Sequence, residues 1–209
     1  MPNFHKSDTP HHSVQAPQKG FTLVEMAIVL VIIGLLLGGV LQGQSLIRSM
    51  RVKDIVATAK DLSIASQQFK DRYRYLPGDW NYTPNEIPNV TVGGNGSGII
   101  NTVTESNNVP VHLFNAGFIR STQLQSHYGT VRVLGNIAAA GSVVAGGSNP
   151  VPATVLNIIE FANLPCDVAV EVDLKLDDGD ITKGTSRASI TAAACTVADT
   201  VAPGFATPL

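Results

Sequence analysis

The longest apolar run in the chain extends from Phe21 to Leu41 and contains a single charged residue, Glu25. As an α-helix rising about 1.5 Å per residue, this run would span roughly 31 Å, close to the roughly 30 Å hydrocarbon core of a bilayer. A helix packed on a soluble core would be shorter or would carry a polar stripe, and this run is apolar on every side. The pattern therefore predicts a membrane-spanning helix, preceded by a polar segment over residues 1–20.

The helix is predicted to continue beyond Leu41, because no proline occurs between Pro17 and Pro77. Over residues 42–76, mostly apolar positions recur in alternating steps of four and three, which places one stripe along a helix. The same stretch carries seven basic residues against three acidic ones. We therefore predict an amphipathic half that packs against a globular head. The positions of the stripe are Ile55, Ala59, Leu62, Ser66, Phe69, Tyr73 and Leu76.

From Pro77 onward, glycine and proline are frequent enough to break helices and set turns. This high frequency of glycine and proline predicts a β-rich head over residues 77–209 that begins with a loop of about 30 residues. Short strands such as 129–135 would follow, and the acidic stretch near 168–190 would form a β-hairpin or a loop. The glycine-rich run 93–98 is predicted to be a flexible loop.

The composition excludes several classes of protein. Of the 209 residues, 44% are hydrophobic and only 14% are charged, so the chain can bury a core and is not intrinsically disordered. A formal net charge of −2 argues against a protein that coats nucleic acid. Neither G-x-S-x-G nor H-E-x-x-H occurs, and the run 93–98 lacks the lysine and hydroxyl residue of a phosphate-binding loop. We therefore expect no enzyme, and no cofactor apart from the calcium considered below.

Residues 19–25, KGFTLVE, resemble the processing site of type IV prepilins and type II secretion pseudopilins. The resemblance implies that a prepilin peptidase cleaves after Gly20 and methylates the new amino terminus on Phe21. A plain membrane anchor would need no such segment. The resemblance continues, more weakly at the last position, through IGLLLGGVLQGQSLI at 33–47, FKDRYRYLPGD at 69–79 and LKLDDGDITKG at 174–184.

The resemblance also implies an architecture: an α+β, pilin-like fold with a long amino-terminal helix packed on a small antiparallel β-sheet head. Residues 1–20 would be the cleaved leader and 21–41 the transmembrane, later filament-core, half of the helix. Residues 42–76 would be its amphipathic half and 77–209 the globular head with variable loops. The chain would cross the inner membrane once, with its head in the periplasm, before it enters a filament.

On this resemblance the chain is a structural subunit that polymerises through its amino-terminal helix into a type IV pilus or a type II secretion pseudopilus. Many major pilins carry a proline late in the apolar span, and its absence here favours a minor pilin or a pseudopilin. The partners would be homologous subunits, the prepilin peptidase, an inner-membrane assembly platform and, before assembly, membrane lipid. A competence pseudopilin that handles DNA is less favoured, because most of the basic charge over 48–74 should face the head or neighbouring subunits.

A hypothesis from a different class stays open. Residues 21–41 would then be an uncleaved anchor for an extracytoplasmic binding module or enzyme. Two residues discriminate between the hypotheses, because an anchor of this kind needs neither Gly20 nor Glu25. If the anchor hypothesis holds, the membrane-bound chain is not cleaved and retains residues 1–20. The resemblance then no longer fixes the orientation of the span.

Three residues of the apolar span are candidates for assembly contacts. A charged side chain in such a helix needs a partner, and cleavage after Gly20 would create an α-amino group at the same end. Glu25 paired with that amine of a neighbouring subunit would set the axial stagger of the filament; the alternative is a solvated Glu25 near the headgroups. Gly34 and Gly38 form a G-x-x-x-G pair that lets helices approach closely, although glycine is also common in membrane helices without this role.

Cys166 and Cys195 are the only cysteines in the chain. An extracytoplasmic head would meet an oxidising compartment, in which such a pair tends to form a disulfide. A bridge here would also resemble the carboxyl-terminal disulfide loop of many pilins. Two free buried thiols are the alternative, and the spacing excludes a C-x-x-C redox motif.

Four aspartates near the carboxyl end, with Gly179 among them to allow a tight turn, concentrate the oxygen ligands that hard cations prefer. Calcium is therefore a candidate ligand, although the spacing is not that of an EF-hand. A solvated acidic turn is the simpler interpretation, and pairing with the basic helix 48–74 of a neighbouring subunit is a third. The aspartates are Asp173, Asp177, Asp178 and Asp180.

Overall fold

The computed structural model describes residues 20–137, 142–190, 195 and 200–209. The chain divides into two compact units, the first ending at Gln44 and the second formed by Ser45–Leu209. The predicted leader lies outside the described residues, apart from Gly20. Within the second unit, the α+β architecture implied by the resemblance is confirmed, with the later part of a long helix packed on a small antiparallel sheet.

Helix α1 extends over Leu23–Tyr73, 51 residues in all. In the first unit its side chains are almost all exposed, including the large apolar ones. Such a surface is unfavourable in water, so this part of the helix requires lipid or protein around it. Among the described residues, α1 is the single helix whose length and composition would allow it to cross a membrane.

In the second unit α1 buries one face. All seven positions of the predicted stripe are buried, from Ile55 at 0% exposure to Leu76 at 9%. Five of them share a single hydrophobic core with side chains of the sheet: Ile55, Ala59, Leu62, Phe69 and Tyr73. The helix ends at Tyr73, three residues before the predicted boundary. The cause is Arg74, whose φ of +68° is a left-handed conformation that terminates a helix.

Within the described residues, the head contains four strands: β1, Val131–Gly135; β2, Asn157–Pro165; β3, Arg187–Ala188; and β4, Val201–Pro208. They form one antiparallel sheet in the order β1-β2-β4-β3. Strand β2 pairs with β1 on one side and with β4 on the other, so its side chains include the most buried of the sheet. Strand β1 lies within the predicted range 129–135.

Helix α2, Val103–Asn115, lies where the sequence predicted the end of a long loop. The loop is shorter than expected because a capping box starts the helix. The Thr102 hydroxyl accepts from the Glu105 amide at 3.1 Å, and the Glu105 carboxylate accepts from the Thr102 amide at 3.1 Å. This reciprocal pair satisfies two backbone donors that a helix start leaves unpaired.

Helix α3, Cys166–Leu176, overturns a second expectation. The prediction of a β-hairpin or loop near 168–190 is wrong for residues 168–176. Val168, Ala169 and Val172 recur at helical spacing and are buried, but the valines also favour strands, which concealed the helical period. The irregular segment begins only after Leu176, and it leads to the two residues of β3.

The glycine-rich run 93–98 is fixed against the residues that follow α1, where the sequence predicted a flexible loop. Asp79 is fully buried, and its carboxylate accepts hydrogen bonds from the amides of Ser97 at 3.0 Å and Gly98 at 2.7 Å. A Cβ atom at Gly93 or Gly94 would come within 2.5 Å of the neighbouring backbone. Only glycine therefore fits at these two positions.

The side chain of His112, in α2, connects two segments of the same region through hydrogen bonds. Its ring is fully buried. Nδ1 accepts a hydrogen bond from the Gly78 amide at 2.9 Å, so the proton of the neutral ring lies on Nε2, which donates to the Val92 carbonyl at 2.9 Å. Burial lowers the pKa of His112 below its ordinary value near 6.5, and the bond to the Val92 carbonyl only partly opposes this.

Acid should therefore weaken the head through His112. The unfolded chain takes up the proton near pH 6.5 and the folded chain only at lower pH, so the contribution of His112 to stability is complete above pH 6.5 and falls below it. We expect the melting temperature of the wild type to exceed that of His112→Gln most at pH 7.5, and the difference to shrink toward pH 5. A difference in melting temperature that stays constant across this range would contradict the prediction.

Candidate functional site

The predicted processing site lies at the exposed start of α1. Gly20 and Phe21 precede the helix, which begins at Leu23, and the Phe21 side chain is 81% exposed. Apart from its chain neighbours, no described residue has an atom within 4 Å of the position that a Cβ on Gly20 would occupy. The fold therefore gives no reason for glycine at position 20, and the peptide bond that follows it is accessible.

Glu25 lies in the first turn of α1 and interacts with Thr22. Its Oε2 accepts from both the amide and the hydroxyl of Thr22 at 3.0 Å, and its own amide donates to the Thr22 hydroxyl at 3.2 Å. This arrangement is a capping box that stabilises the start of the helix. All of these bonds use Oε2, and among the described residues Glu25 forms no ion pair.

Gly34 and Gly38 lie one turn apart on the exposed, apolar part of α1. Apart from the chain neighbours and the adjoining backbone of the helix, no described residue has an atom within 4 Å of a Cβ placed on either residue, so each leaves an open notch on the helix surface. Large apolar side chains flank the notches, among them Leu30, Leu35 and Leu41, which are between 68% and 74% exposed. The chain alone offers no partner for this surface in its described part.

Cys166 and Cys195 form a disulfide, with their Cα atoms 5.4 Å apart. The bridge joins the first residue of α3 to a residue 29 positions later, shortly before β4. The described residues include no free cysteine. The alternative of two free thiols is therefore not the state that the structure shows.

The four aspartates of the predicted acidic site separate into two groups. Asp173, Asp177 and Asp178 lie together, whereas Asp180 is bound elsewhere. Asp180 forms an ion pair with Lys183 at 2.8 Å and accepts from Thr182, and these two partners lower the pKa of Asp180 to about 2. Asp177 accepts from the amides of Ser186 and Thr185, which lower its pKa.

Asp173 is the buried member of the first group. Burial raises the pKa of this carboxyl to about 7, and the nearby charges of Asp178 and Asp177 add to the rise. The Gly179 amide opposes the rise, yet neither oxygen of Asp173 makes a hydrogen bond of normal geometry. The burial of Asp173 was not evident from the sequence, which offered four equivalent aspartates.

The basic part of α1 forms ion pairs with acidic residues of the same chain. Arg48 forms ion pairs with two residues of α3, Asp167 at 2.7 Å and Glu171 at 2.8 Å. All three side chains are close to half exposed, so each pair contributes between about 0 and 1 kcal/mol. These acidic residues are distinct from the four aspartates for which pairing with a neighbouring subunit was considered.

Sequence reasoning missed a buried charge cluster around Glu160 of β2. Its carboxylate pairs with Arg132 at 2.6 Å and accepts from the Ser142 hydroxyl at 2.7 Å and the Val143 amide at 3.0 Å. The cluster holds the segment that begins at Ser142 over the sheet. Arg132 and Glu160 occupy paired positions of β1 and β2, so only knowledge of the strand register would have revealed the pair.

The fold and the amino-terminal segment together define a class of protein: an α+β chain of pilin-like architecture with an accessible glycine–phenylalanine bond just before its apolar helix. Residues 16–41 match the family described as Prokaryotic N-terminal methylation motif. This motif is the prepilin-type cleavage and methylation segment of type IV pilins and pseudopilins, and the match includes Gly20, Phe21 and Glu25. No curated protein and no solved structure matches the chain.

Proposed function

We propose that the chain is a structural subunit, a minor pilin or a pseudopilin, that a prepilin peptidase cleaves after Gly20 and methylates on Phe21. The subunit then polymerises through α1 into a type IV pilus or a type II secretion pseudopilus. One observation carries the proposal: an exposed apolar helix begins at a methylation motif whose glycine the fold itself does not require. Recognition by a peptidase would explain why glycine occupies position 20.

Before assembly, the apolar part of α1 would hold the subunit in the inner membrane, with lipid around residues 21–41. The head would lie in the periplasm, where the disulfide between Cys166 and Cys195 is stable. An assembly platform in the inner membrane would then move the subunit from lipid into the filament. The partners are thus lipid, peptidase, platform and other subunits, and not nucleic acid.

In the filament, neighbouring helices would replace lipid around the same apolar surface. Gly34 and Gly38 would let two helices approach closely, because neither carries a side chain at the contact. Glu25 would accept from the methylated amine of Phe21 on the next subunit. Its Oε2 is committed to Thr22, so Oε1 would be the acceptor for that amine.

The mass of the native protein tests the proposal. We expect the chain isolated from membranes to begin at Phe21 and to be heavier than the cleaved sequence by one methyl group, about 14 Da. The same chain from a strain without prepilin peptidase should keep residues 1–20, and so should Gly20→Val in the normal strain. Intact mass and the amino-terminal peptide measure both changes.

The opposite result would favour the second class. If the native chain keeps residues 1–20 in a strain with active peptidase, residues 21–41 are an uncleaved anchor. The head would then be an extracytoplasmic binding module or an enzyme, and Gly20→Val would change neither the retention of residues 1–20 nor the location of the chain. No observation on the described residues favours that alternative over a filament subunit.

A further inference from the structure

The junction segment, residues 78–81, follows α1 and is bonded to the glycine-rich run 93–98. The Gly94 amide donates to the Trp80 carbonyl at 2.7 Å. The Asp79 carboxylate accepts from two amides of the run, and the carbonyl of the same residue accepts from a third at 3.0 Å. The junction segment and the run therefore form one hydrogen-bonded layer.

His112 attaches this layer to α2 at two points. Its Nδ1 accepts from the Gly78 amide and its Nε2 donates to the Val92 carbonyl, each at 2.9 Å. The ring is fully buried, and its plane lies 12° from that of Phe69 in α1, with the two centroids 6.1 Å apart. One side chain thus contacts α1 and connects α2 to the layer.

The bond to Gly78 requires a neutral ring. Neutral imidazole has one donor and one acceptor nitrogen, whereas the protonated ring has two donors. A proton on Nδ1 would therefore face the Gly78 N–H across 2.9 Å, with no acceptor between the two donors. The protonated ring would also be a charge in a fully buried site, which is unfavourable. Protonation of His112 and closure of the layer onto α2 therefore oppose each other.

Three other buried titratable groups lie on the elements around the ring: Tyr73 of α1, Asp79 of the junction segment and Glu105 of α2. Among the described residues, no lysine or arginine side chain is buried. A phenol such as Tyr73 gains no charge in acid. Burial raises the pKa of Asp79, so the closed layer binds that proton more readily than an open one, and Asp79 opposes opening in acid. Glu105, which accepts from three backbone amides, is the competing trigger.

We propose that His112 is an acid-sensitive switch: protonation of its ring shifts the layer from a closed form, seated on α2, to an open form, while the sheet stays folded. The layer contributes none of the four described strands, and those strands are bonded to one another. Opening is thus a local transition. Since α1 ends at Tyr73, shortly before the layer, acid would loosen the attachment of the head to the end of this helix. The switch consists of contacts within the head and does not depend on the proposed filament function.

Hydrogen exchange measured by mass spectrometry on the full-length chain in detergent, at pH 7.5 and at pH 5, tests the proposal. In the open form the ring takes up its proton near pH 6.5, so each further pH unit raises the opening constant about tenfold. After correction for intrinsic exchange rates, we expect the protection of the amides over 78–98 to fall by about 30-fold. At pH 5 the amides of β2 should remain at least about tenfold better protected than these.

His112→Gln is the matched variant. Its carboxamide can accept from the Gly78 amide and donate to the Val92 carbonyl as the neutral ring does, but it does not titrate. The protection over 78–98 should then change by less than about threefold between the two pH values. If this variant fails to fold, the pH dependence of the wild type still identifies the trigger, because the loss of protection should begin near pH 6.5.

Four results would overturn the proposal. The first is a wild-type protection that changes by less than about threefold between the two pH values. The second is a loss that begins only below about pH 5, which would assign the trigger to a carboxylate such as Glu105. The third is an equal loss in His112→Gln. The fourth is equal protection of β2 and of residues 78–98 at pH 5, which would show that the whole head unfolds.

Discussion

Replacing Glu25 with glutamine should strongly reduce the yield of filaments while leaving the start of α1 intact. Glutamine keeps the capping arrangement with Thr22, because the third residue of a capping box is glutamate or glutamine, but it removes the charge. If the carboxylate pairs with the amine of Phe21 on a neighbouring subunit, every subunit contact loses a charge-assisted hydrogen bond. We expect the filament yield, counted by electron microscopy at equal subunit levels, to fall at least about tenfold.

Thr22→Ala is the matched control for this experiment. It removes the hydroxyl that accepts from the Glu25 amide at 3.2 Å and leaves the carboxylate in place. Its filaments should therefore form in nearly normal yield. The reverse pattern, with filaments from Glu25→Gln and none from Thr22→Ala, would show that Glu25 serves only to start the helix. Intact mass must show cleavage in both variants, so that processing and assembly are separated.

Replacing both cysteines with alanine should destabilise the head by roughly 3–4 kcal/mol on the chain-entropy model. The bridge between Cys166 and Cys195 closes a loop over 29 positions, and its removal gives the unfolded chain more conformations. Urea unfolding of the full-length chain in detergent, followed by circular dichroism, measures the loss. The urea concentration at the midpoint of unfolding should be lower for the double variant than for the wild type under oxidising conditions.

The reduced wild type provides the control, because it loses the bridge without any substitution. It should unfold at nearly the same urea concentration as the double variant. A loss of less than about 1 kcal/mol in both would mean that the unfolded chain gains little freedom, contrary to the entropic explanation. A loss seen only in the double variant would instead indicate a packing defect at Cys166, which is buried.

The sequence predicted α1 well because its signals are local and repeated. An uninterrupted apolar run needs no knowledge of partners, and the stripe from Ile55 to Leu76 repeats the helical period six times. The final boundary was three residues late, since nothing in the sequence marks Arg74 as left-handed. A glycine at that position would have marked the end.

The head was harder because its signals conflict. Helix α2 contains Pro110, which normally argues against a helix, and its start depends on the capping box between Thr102 and Glu105. Helix α3 is rich in valine, which favours strands when judged alone. Both helices are stabilised by burial in a core whose other members come from distant parts of the chain.

The candidate sites also differ in how far local sequence signals predict them. The motif around Gly20 is contiguous in sequence, so it was identified without the fold. The acidic site was not resolved, because four aspartates within eight residues look alike until the structure buries Asp173 and commits Asp180 to Lys183. Glu160 of β2 pairs with Arg132 of the adjacent strand β1, and no local sequence pattern predicts such a pair.

Trp80, the only tryptophan of the chain, is fully buried in the junction between α1 and the glycine-rich run. Its ring lies 5.6 Å from that of His112 and 5.7 Å from that of Tyr82, measured between centroids. The tryptophan fluorescence of this protein therefore has one source at a known place. A change in that emission, for example on acidification, therefore reports the state of this junction without an attached dye.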